Sequence, residues 1–209
     1  MKSNFLLAPC VGLLALASLN AQETPRYSFD VGAGFTTPVG NTGRHLDNGW
    51  DLRGGAGINF SPHVGAMLNL GFDSFGVNST TLSGIGVPGG DLHVFSARID
   101  PIVHLNPKGR VDVYLTGGGG LYRRTQEFTQ PTVGRATGFD PFFGFYPYTF
   151  SATQVLASNT VTKPGVDAGA GIAFGSKWHG KFFAEARYNR IFMRNSHTDY
   201  VPVTFGFRW

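Results

Sequence analysis

The sequence predicts an all-β fold, a transmembrane antiparallel up-and-down β-barrel whose pattern best fits eight strands. Three observations predict it. The chain opens with a leader typical of exported proteins, the remainder alternates apolar with small or polar residues, and long connections alternate with short ones. Successive side chains of a strand lie on opposite faces, so a period of two indicates a sheet with two different faces.

The leader is predicted to be a cleaved signal peptide spanning residues 1–21. Lys2 gives it a positive start, residues 5–17 are mainly apolar, and small residues precede the cleavage point. The apolar stretch is too short for a membrane-spanning helix, which needs about 20 residues. A lipid anchor on Cys10 is an alternative, but Cys10 lies inside the apolar stretch instead of at its end. The barrel is therefore expected to occupy residues 22–209.

The composition excludes several other classes of protein. Charged residues make up only 14% of the chain, whereas soluble domains usually carry about a quarter. Aromatic residues also reach 14%, which is unlike a disordered chain. The net charge of +4 is not gathered into a basic cluster, so no nucleic-acid partner is expected.

Eight segments carry the alternation. In the segment 50–60, for example, even positions hold apolar residues such as Leu52 and Ile58. Odd positions include the charged residues Asp51 and Arg53. The segments are residues 27–35, 50–60, 64–72, 91–105, 111–122, 166–174, 182–188 and 201–209. A tilted strand needs about 9–11 residues to cross a membrane, whereas strands of water-soluble sheets average about five or six. A soluble barrel of the lipocalin type, with its apolar face inward, is the alternative that alternation alone leaves open.

The positions of the large aromatic residues favour the membrane barrel. They gather at the ends of the apolar faces, with mainly aliphatic residues and glycine between them. One predicted rim holds Tyr27, Phe29, Phe60, Phe174, Phe182, Phe207 and Trp209, and the other holds Phe35, Trp50, Phe72 and Phe192. Two aromatic girdles flanking an aliphatic band are typical of membrane barrels, and a lipocalin-like core has no reason to sort aromatics in this way.

The connections alternate in length. Long outer loops are predicted at residues 36–49, 74–90 and 123–163, and short turns at residues 61–63, 106–110 and 175–181. The seventh connection, residues 194–200, is short for an outer loop. Long outer loops that alternate with tight periplasmic turns are typical of outer-membrane barrels. An extra hairpin hidden in residues 123–163 would raise the number of strands to ten.

The last segment resembles a known assembly signal. Residues 200–209 end on an aromatic residue with apolar residues at every second position before it, and we expect Phe205, Phe207 and Trp209 to act as the signal. Residues 109–120 and 183–188 resemble the β-barrel domain of OmpA-like outer-membrane proteins. This resemblance implies the outer membrane of a Gram-negative bacterium, outer-membrane lipid and the barrel-assembly machinery as partners, and a monomer. No peptidoglycan-binding domain is expected, because the sequence ends at Trp209.

The charged residues on the inward face form the main candidate site. They are Asp30, Asp51, Arg53, Arg98, Asp100, Asp112, Asp167, Glu185, Arg187 and Arg208. An eight-stranded barrel leaves an interior that side chains can fill, and buried charges must be paired or hydrogen-bonded. The sequence therefore predicts an ionic plug. The many inward glycines keep a conducting path open as the alternative.

The longest predicted loop is the candidate interaction surface. It carries the aromatic residues Phe142, Phe143, Phe145, Tyr146 and Tyr148. An aromatic cluster in an outer loop indicates contact with a partner, with the membrane surface or with other loops. Self-packing of the loop, or extension of the strands above the membrane, would explain the same residues without a partner.

No cofactor, metal site or catalytic residue is predicted. The six histidines are scattered, residues 117–120 lack the Lys and Ser/Thr of a phosphate loop, and the Ser, His and Asp of residues 196–199 are too close in sequence for a usual hydrolytic triad. The leading hypothesis is a non-enzymatic surface barrel that gives envelope structure and loop-mediated interaction. The alternatives are a narrow channel for small or apolar solutes and a lipid A-modifying enzyme.

Overall fold

A computed structural model describes residues 26–107, 109–176, 180–194 and 196–209. The predicted signal peptide lies outside these residues. The described residues form eight strands in a closed ring. The strands are β1 (Tyr27–Pro38), β2 (Gly49–Asn59), β3 (Val64–Gly76), β4 (Gly89–His104), β5 (Val111–Asp140), β6 (Gly144–Ser176), β7 (Gly180–Phe192) and β8 (His197–Arg208).

Each strand pairs antiparallel with its neighbours in the chain, and β8 closes the ring against β1. The closing register runs from Asp30 opposite Arg208 to Pro38 opposite Tyr200. At its end, the backbone groups of Phe29 and Trp209 exchange two hydrogen bonds of 2.9 Å. The predicted eight-stranded up-and-down barrel is confirmed, and the ten-stranded alternative is wrong.

The barrel wall has an apolar outer face and a largely polar inner face. Along β7, Phe182, Tyr188 and Phe192 are exposed on the outside, whereas Glu185 and Arg187 are buried inside. The other strands repeat this arrangement, and the outside is covered by exposed side chains such as Val31, Leu52, Leu68, Leu70, Ile99, Val113, Leu115, Val166 and Ile172. A continuous apolar exterior of this size requires lipid as its solvent. The lipocalin-like alternative, which needs an apolar interior, is therefore wrong.

Aromatic rings meet at both ends of the outer face. At the end where β1 begins and β8 ends, here called the turn end, aromatic rings follow one another across four strands with ring centroids 5.2–6.2 Å apart. They are Phe174, Phe182, Phe207, Trp209 and Phe29. At the opposite end, here called the loop end, the ring of Phe72 lies 5.4 Å from Trp50 and 5.6 Å from His93. Both sets occupy the two rims expected from the sequence.

The connections at the loop end hold short helices. Residues 36–49 include a 3-10 helix (Thr42–Arg44), and residues 74–90 include the helix α1 (Ser79–Ile85). The side chain of Asn78 begins α1 by accepting a 2.8 Å hydrogen bond from the backbone N–H of Thr80. No helix in the described part of the chain is long and apolar enough to cross a membrane.

The prediction of a loop at residues 123–163 is wrong, because nearly all of these residues lie in strands. β5 and β6 stay paired from Arg123–Thr162 to Asp140–Gly144. β4 still borders β5 as far as the pair Gly89–Thr129, and beyond that pair β5 and β6 continue alone as a two-stranded antiparallel ribbon. One irregularity interrupts the register, between Phe128 and Thr129. We name the paired residues 123–140 and 144–162, with their turn, the β5–β6 ribbon. Its residues are rich in Thr, Val and aromatics, which favour extended backbone even where no lipid-facing alternation marks the strand.

The glycine run at residues 117–120 lies inside β5, where it keeps the β5–β6 register unbroken. A Cβ atom at Gly118 or Gly120 would come within 2.1 Å of the backbone oxygen of Ile99 or Ala97 on β4. Close approach of the two backbones therefore explains these glycines, instead of a bulge in the wall.

Candidate functional site

The first candidate site is the charged network in the lumen. The structure places all the predicted lumen residues on the inner face, and each is buried: Asp30, Asp51, Arg53, Arg98, Asp100, Asp112, Asp167, Glu185, Arg187 and Arg208. They come from β1, β2, β4, β5, β6, β7 and β8, so the network joins walls that are far apart along the sheet. Pairing of opposite charges is what allows ionised side chains to be held inside the barrel.

Glu185 on β7 is a centre of the network. Its Oε1 atom accepts hydrogen bonds from Nη1 of Arg53 on β2 and from Nε of Arg187 on the same strand. Its Oε2 atom accepts a 2.8 Å hydrogen bond from the hydroxyl of Tyr114 on β5. A single carboxylate thereby ties three strands together across the lumen.

Arg187 extends the network to two further strands. Its Nη1 atom donates to Oδ2 of Asp100 on β4 and, at 3.0 Å, to Oδ2 of Asp167 on β6. Asp100 also accepts a 2.7 Å hydrogen bond from the amide of Asn69 on β3. The guanidinium group of Arg187 is thus shared among three carboxylates, counting that of Glu185.

Arg208 lies nearer the turn end. It donates through Nη2 and Nε to Oδ2 of Asp30, at 3.0 and 3.3 Å, across the seam between β8 and β1. Its guanidinium carbon lies 4.7 Å from the ring centroid of Tyr114 and 5.2 Å from that of Phe183. The ring of Phe183 also faces Arg53, at 4.9 Å. Cation–π contacts of this kind supplement the ion pairs on the inner face.

Asp112 stands apart from this network. Its Oδ2 atom is 2.7 Å from Nδ1 of His104 and accepts a 3.3 Å hydrogen bond from Nζ of Lys181. His104 and Lys181 lie at the turn-end limits of β4 and β7. Asp112 therefore belongs to an ion cluster at the turn end and has no contact with the central arginines.

Two apolar clusters bracket the charges. The loop-end cluster comprises Leu46, Phe75, Val77, Leu82, Leu92, Val94, Tyr122, Ile191 and Tyr200. The turn-end cluster comprises Met67, Ile102, Tyr114, Ala173 and Phe183. Leu46, Val77 and Leu82 come from the loop-end connections, and the other members of both clusters lie on inner faces of strands. Apolar side chains therefore pack on either side of the ionic layer.

Several lumen residues were missed by the sequence analysis. Tyr200 donates a 3.1 Å hydrogen bond to Asp73, and Arg98 donates a 2.9 Å hydrogen bond to Asn189. Asp73, Asn189 and Tyr200 each lie one residue outside a predicted segment, because the exterior alternation stops before the strand does. Extending each segment by one residue would have placed all three on the inner face.

A small cavity lies among the polar residues. It has a volume of about 10 Å³ and is lined by Asp51, Leu52, Arg53, Gly71, Asp73, Arg98, Arg187, Pro202 and Thr204. This is roughly the space that one water molecule needs. Thr204 donates a 2.7 Å hydrogen bond to Asp51 at its edge. A cavity of this size can hold an ordered water but is too small for a solute.

The second candidate site is the β5–β6 ribbon. At its end, the side chains of Phe142, Phe143 and Phe145 are 91%, 88% and 79% exposed. Behind them, the rings of Tyr146, Tyr148 and Phe150 follow one another on one face, with neighbouring centroids 6.1 Å apart. The predicted interaction residues therefore line one end of the ribbon.

These rings cover small residues on the opposite strand. Tyr146 pairs with Gly138, and Phe150 pairs with Gly134. A Cβ atom at Gly138 would come within 2.7 Å of the Tyr146 ring, and one at Gly134 within 2.5 Å of the Phe150 ring. Self-packing thus applies to one side of these rings, while nearly half of each side chain stays exposed.

The loop-end residues of β7 and β8 form a small polar cluster. Arg190 donates to both carboxylate oxygens of Asp199 at 2.9 Å, and Nε2 of His197 lies 3.3 Å from Asp199. Among the described residues, no Ser or Thr hydroxyl is hydrogen-bonded to His197, so the sequence motif at residues 196–199 does not form a triad there. Within the same residues, no group of His, Cys, Asp or Glu is arranged to hold a metal ion.

The closed eight-stranded ring, its apolar exterior and its paired inner charges define an outer-membrane β-barrel protein. The model of the outer membrane protein β-barrel domain family matches residues 6–208, and the chain belongs to this family. The predicted relationship to OmpA-like small barrels and the location in the outer membrane of a Gram-negative bacterium are confirmed. A search of curated proteins gives no match.

Several solved structures are similar to this chain at low sequence identity. Neisserial surface protein A (NspA) of Neisseria superposes with a TM-score of 0.57 at 14% identity, covering 88% of this chain and 96% of that one. The attachment invasion locus protein Ail of Yersinia pestis has a TM-score of 0.47 at 18% identity, covering 88% and 97%. The N-terminal β-barrel domain of Pseudomonas aeruginosa OprF has a TM-score of 0.43 at 14% identity, covering 90% and 100%.

Proposed function

We propose that this protein is a non-enzymatic surface barrel that uses a closed lumen as a rigid scaffold and the β5–β6 ribbon as its contact with partners outside the cell. The observation that carries the proposal is the ribbon itself. It continues past the barrel wall as a regular two-stranded ladder and ends in phenylalanine side chains that are almost fully exposed. Large exposed apolar patches on soluble surfaces are typical of interaction sites.

The inner face supports a closed lumen instead of a channel. Leu92, Val94 and Ile191 of the loop-end cluster are completely buried, and Tyr114 and Phe183 pack at the other end. Between the clusters, the ion pairs of Arg53 and Arg187 cross from strand to strand. A solute could pass only by breaking these contacts, so the inner charges act as the core of the barrel.

Planar bilayer recordings test the lumen. We expect the purified protein to show no stable unit conductance, because packed side chains occupy the path. Insertion is verified independently by the change in gel mobility between boiled and unboiled samples, which reports a closed barrel without free sheet edges. A reproducible unit conductance in samples that pass this control would favour the channel alternative.

Removal of the ribbon tests the contact function. Residues 129–156 are replaced by an Asn-Gly turn, which suits a two-residue hairpin and leaves the membrane-level pairing of β5 with β6 intact. We expect normal barrel folding and surface levels in a heterologous Gram-negative host but a loss of attachment to cultured epithelial cells and to polystyrene. Hosts without the protein set the baseline. Unchanged attachment at equal surface levels would contradict the proposed function.

A further inference from the structure

The end of the β5–β6 ribbon is an apolar tip. Phe139, Phe142, Phe143 and Phe145 are all exposed within seven consecutive positions, and we name these four residues the phenylalanine tip. The rings of Phe139 and Phe145 face each other across the strand pair with centroids 5.1 Å apart. Phe142 and Phe143 project from the turn and are more than 85% exposed.

Two backbone donors at the tip already have a partner. The Oδ1 atom of Asp140 accepts hydrogen bonds from the N–H groups of Phe142 and Phe143, at 2.8 and 3.1 Å. Gly144 completes the turn with a φ of +80°, a conformation that side-chain-bearing residues rarely adopt. Backbone donors left without a partner are costly in an apolar medium, so a turn that binds its own donors is suited to enter one.

The charge and the order of residue types both fit a neutral lipid interface. From residue 136 to residue 162 the one charged side chain is Asp140, whose carboxylate accepts the backbone donors of the turn, and there is no Lys, Arg or His. Phenylalanines occupy the extreme end, Tyr146 and Tyr148 follow, and hydroxyl-bearing residues such as Thr149 and Ser151 come next. Aromatic residues with one polar group prefer the membrane–water interface, just outside the hydrocarbon. A polyanionic partner would instead require a basic cluster, which the tip lacks.

The length of the ribbon separates the tip from the membrane that holds the barrel. The β5 side of the ribbon, from Arg123 to Asp140, has 18 residues. Because β4 borders β5 as far as Thr129, the part that extends alone is the 11 residues from Gln130 to Asp140. At about 3.3 Å per residue, this part is roughly 35 Å long, comparable with the hydrocarbon thickness of a bilayer. The rings that mark the loop-end rim, such as Trp50 and Phe72, lie at its opposite end.

We propose that the phenylalanine tip inserts into the interface of a second, electrically neutral phospholipid bilayer apposed to the bacterial surface. The inference rests on the proposed contact function of the ribbon and names its partner. The four phenyl rings enter the apposed bilayer, Tyr146 and Tyr148 lie at its headgroups, and the ladder below them bridges the space between the two membranes.

The test uses the full barrel in nanodiscs and added vesicles of phosphatidylcholine. Replacing Phe142, Phe143 and Phe145 by Ser should lower the vesicle-bound fraction at least about tenfold, because interfacial binding scales with the apolar area that is buried. The matched control replaces Val133 and Val155, which are 70% and 51% exposed lower on the same ribbon, by Ser. Binding of the control should stay within about twofold of the unsubstituted protein, as is usual for surface changes away from a site.

Fluorescence identifies which bilayer the tip enters. The variant Phe143→Trp adds a reporter at the tip, and its difference from the unsubstituted protein isolates that signal. Brominated lipid in the added vesicles should quench the reporter, whereas brominated lipid in the nanodisc should not. Quenching from the nanodisc alone, equal vesicle binding by the triple Ser variant, or binding only to anionic vesicles would each overturn the proposal.

Cell attachment separates this inference from the function on which it rests. If removal of residues 129–156 abolishes attachment while the triple Ser variant attaches normally, the ribbon contacts its partner elsewhere and only the membrane inference fails. Attachment that requires the phenylalanine tip without any vesicle binding would indicate a protein partner and would also overturn it. Attachment that survives removal of the ribbon contradicts the proposed function itself.

Discussion

Arg187 on β7 donates from Nη1 to the carboxylate of Asp100 on β4, across the lumen and three strands away around the ring. Both side chains are buried. Sheet hydrogen bonds hold only adjacent strands together. The Arg187–Asp100 pair instead joins walls that the backbone ladder does not connect, so inner charges contribute to the shape of the barrel as a core does.

Replacement of Arg187 by Leu should destabilise the barrel strongly. The change removes the shared partner of Asp100, Asp167 and Glu185 and leaves buried carboxylates uncompensated. We expect the free energy of unfolding to fall by about 3–5 kcal/mol, the usual cost of breaking a buried ion pair from one side. Urea unfolding in lipid vesicles, followed by gel mobility, measures the change.

Arg190 provides the matched control on the same strand. Its guanidinium group also pairs with a carboxylate, that of Asp199, but it lies partly exposed at the loop end. Exposed ion pairs contribute little, so Arg190→Leu should shift the urea midpoint much less than Arg187→Leu. Equal midpoints for Arg187→Leu and the unsubstituted protein would mean that water screens the lumen charges, and the channel alternative would then be favoured.

Phe75 lies on the inner face of β3, and Phe72 lies on its outer face. Phe75 is buried in the loop-end cluster, where its ring meets Tyr200 edge-on at 5.4 Å, whereas Phe72 lies on the lipid-facing side. Phe75→Ala should cost about 3–5 kcal/mol, because it leaves a cavity in a packed cluster. Phe72→Ala should cost about 1 kcal/mol, because lipid replaces the lost ring contacts. The two urea midpoints decide the matter, and a larger loss for Phe72→Ala would contradict the assignment of the two faces.

Most of the fold could be predicted from the sequence, because lipid imposes a simple rule on the outer face. Every outward position within the membrane must be apolar, so residues such as Leu52 and Ile58 mark both the strand and its phase. The limits of the strands could not be predicted in the same way. Beyond the lipid, the β5–β6 ribbon has no face that must be apolar throughout and loses the alternation, so its residues were assigned to a loop.

The lumen residues could be predicted, but not their partners. The alternation alone placed Glu185 and Arg187 on the inward face of their strand. The contact of Glu185 with Arg53 depends on the stagger of β2 against β7, which only closure of the ring determines. Arg208 illustrates the same limit, since it pairs chiefly with Asp30 across the closing seam, with Glu185 Oε2 4.0 Å away.

A substitution at Gly120 tests the close approach of β4 and β5. A Cβ atom there would lie 2.1 Å from the backbone oxygen of Ala97, so Gly120→Ala must push the two strands apart. We expect a loss of about 1–3 kcal/mol, typical of overpacking. Gly54→Ala is the control, because its Cβ would have Asp30 backbone oxygen as its nearest neighbour, at 3.8 Å. If both variants unfold at the same urea concentration, steric contact does not explain the glycine run.

The last strand should be required for assembly as well as for closure. Trp209 and Phe29 exchange two backbone hydrogen bonds of 2.9 Å, Arg208 pairs with Asp30, and the ring of Phe207 lies 5.2 Å from that of Phe182. Deleting residues 207–209 removes all of these contacts and two aromatics of the predicted assembly signal. We expect the amount of truncated protein in the outer-membrane fraction to fall severalfold, because the seam between β8 and β1 cannot complete its ladder.

Trp209→Phe, which keeps the terminal aromatic and the backbone bonds, is the control and should assemble normally. Quantitative immunoblots of outer-membrane fractions, with unboiled samples to score folded barrel, provide the measurement. Normal levels of folded truncated protein would show that the terminal residues neither signal assembly nor limit closure.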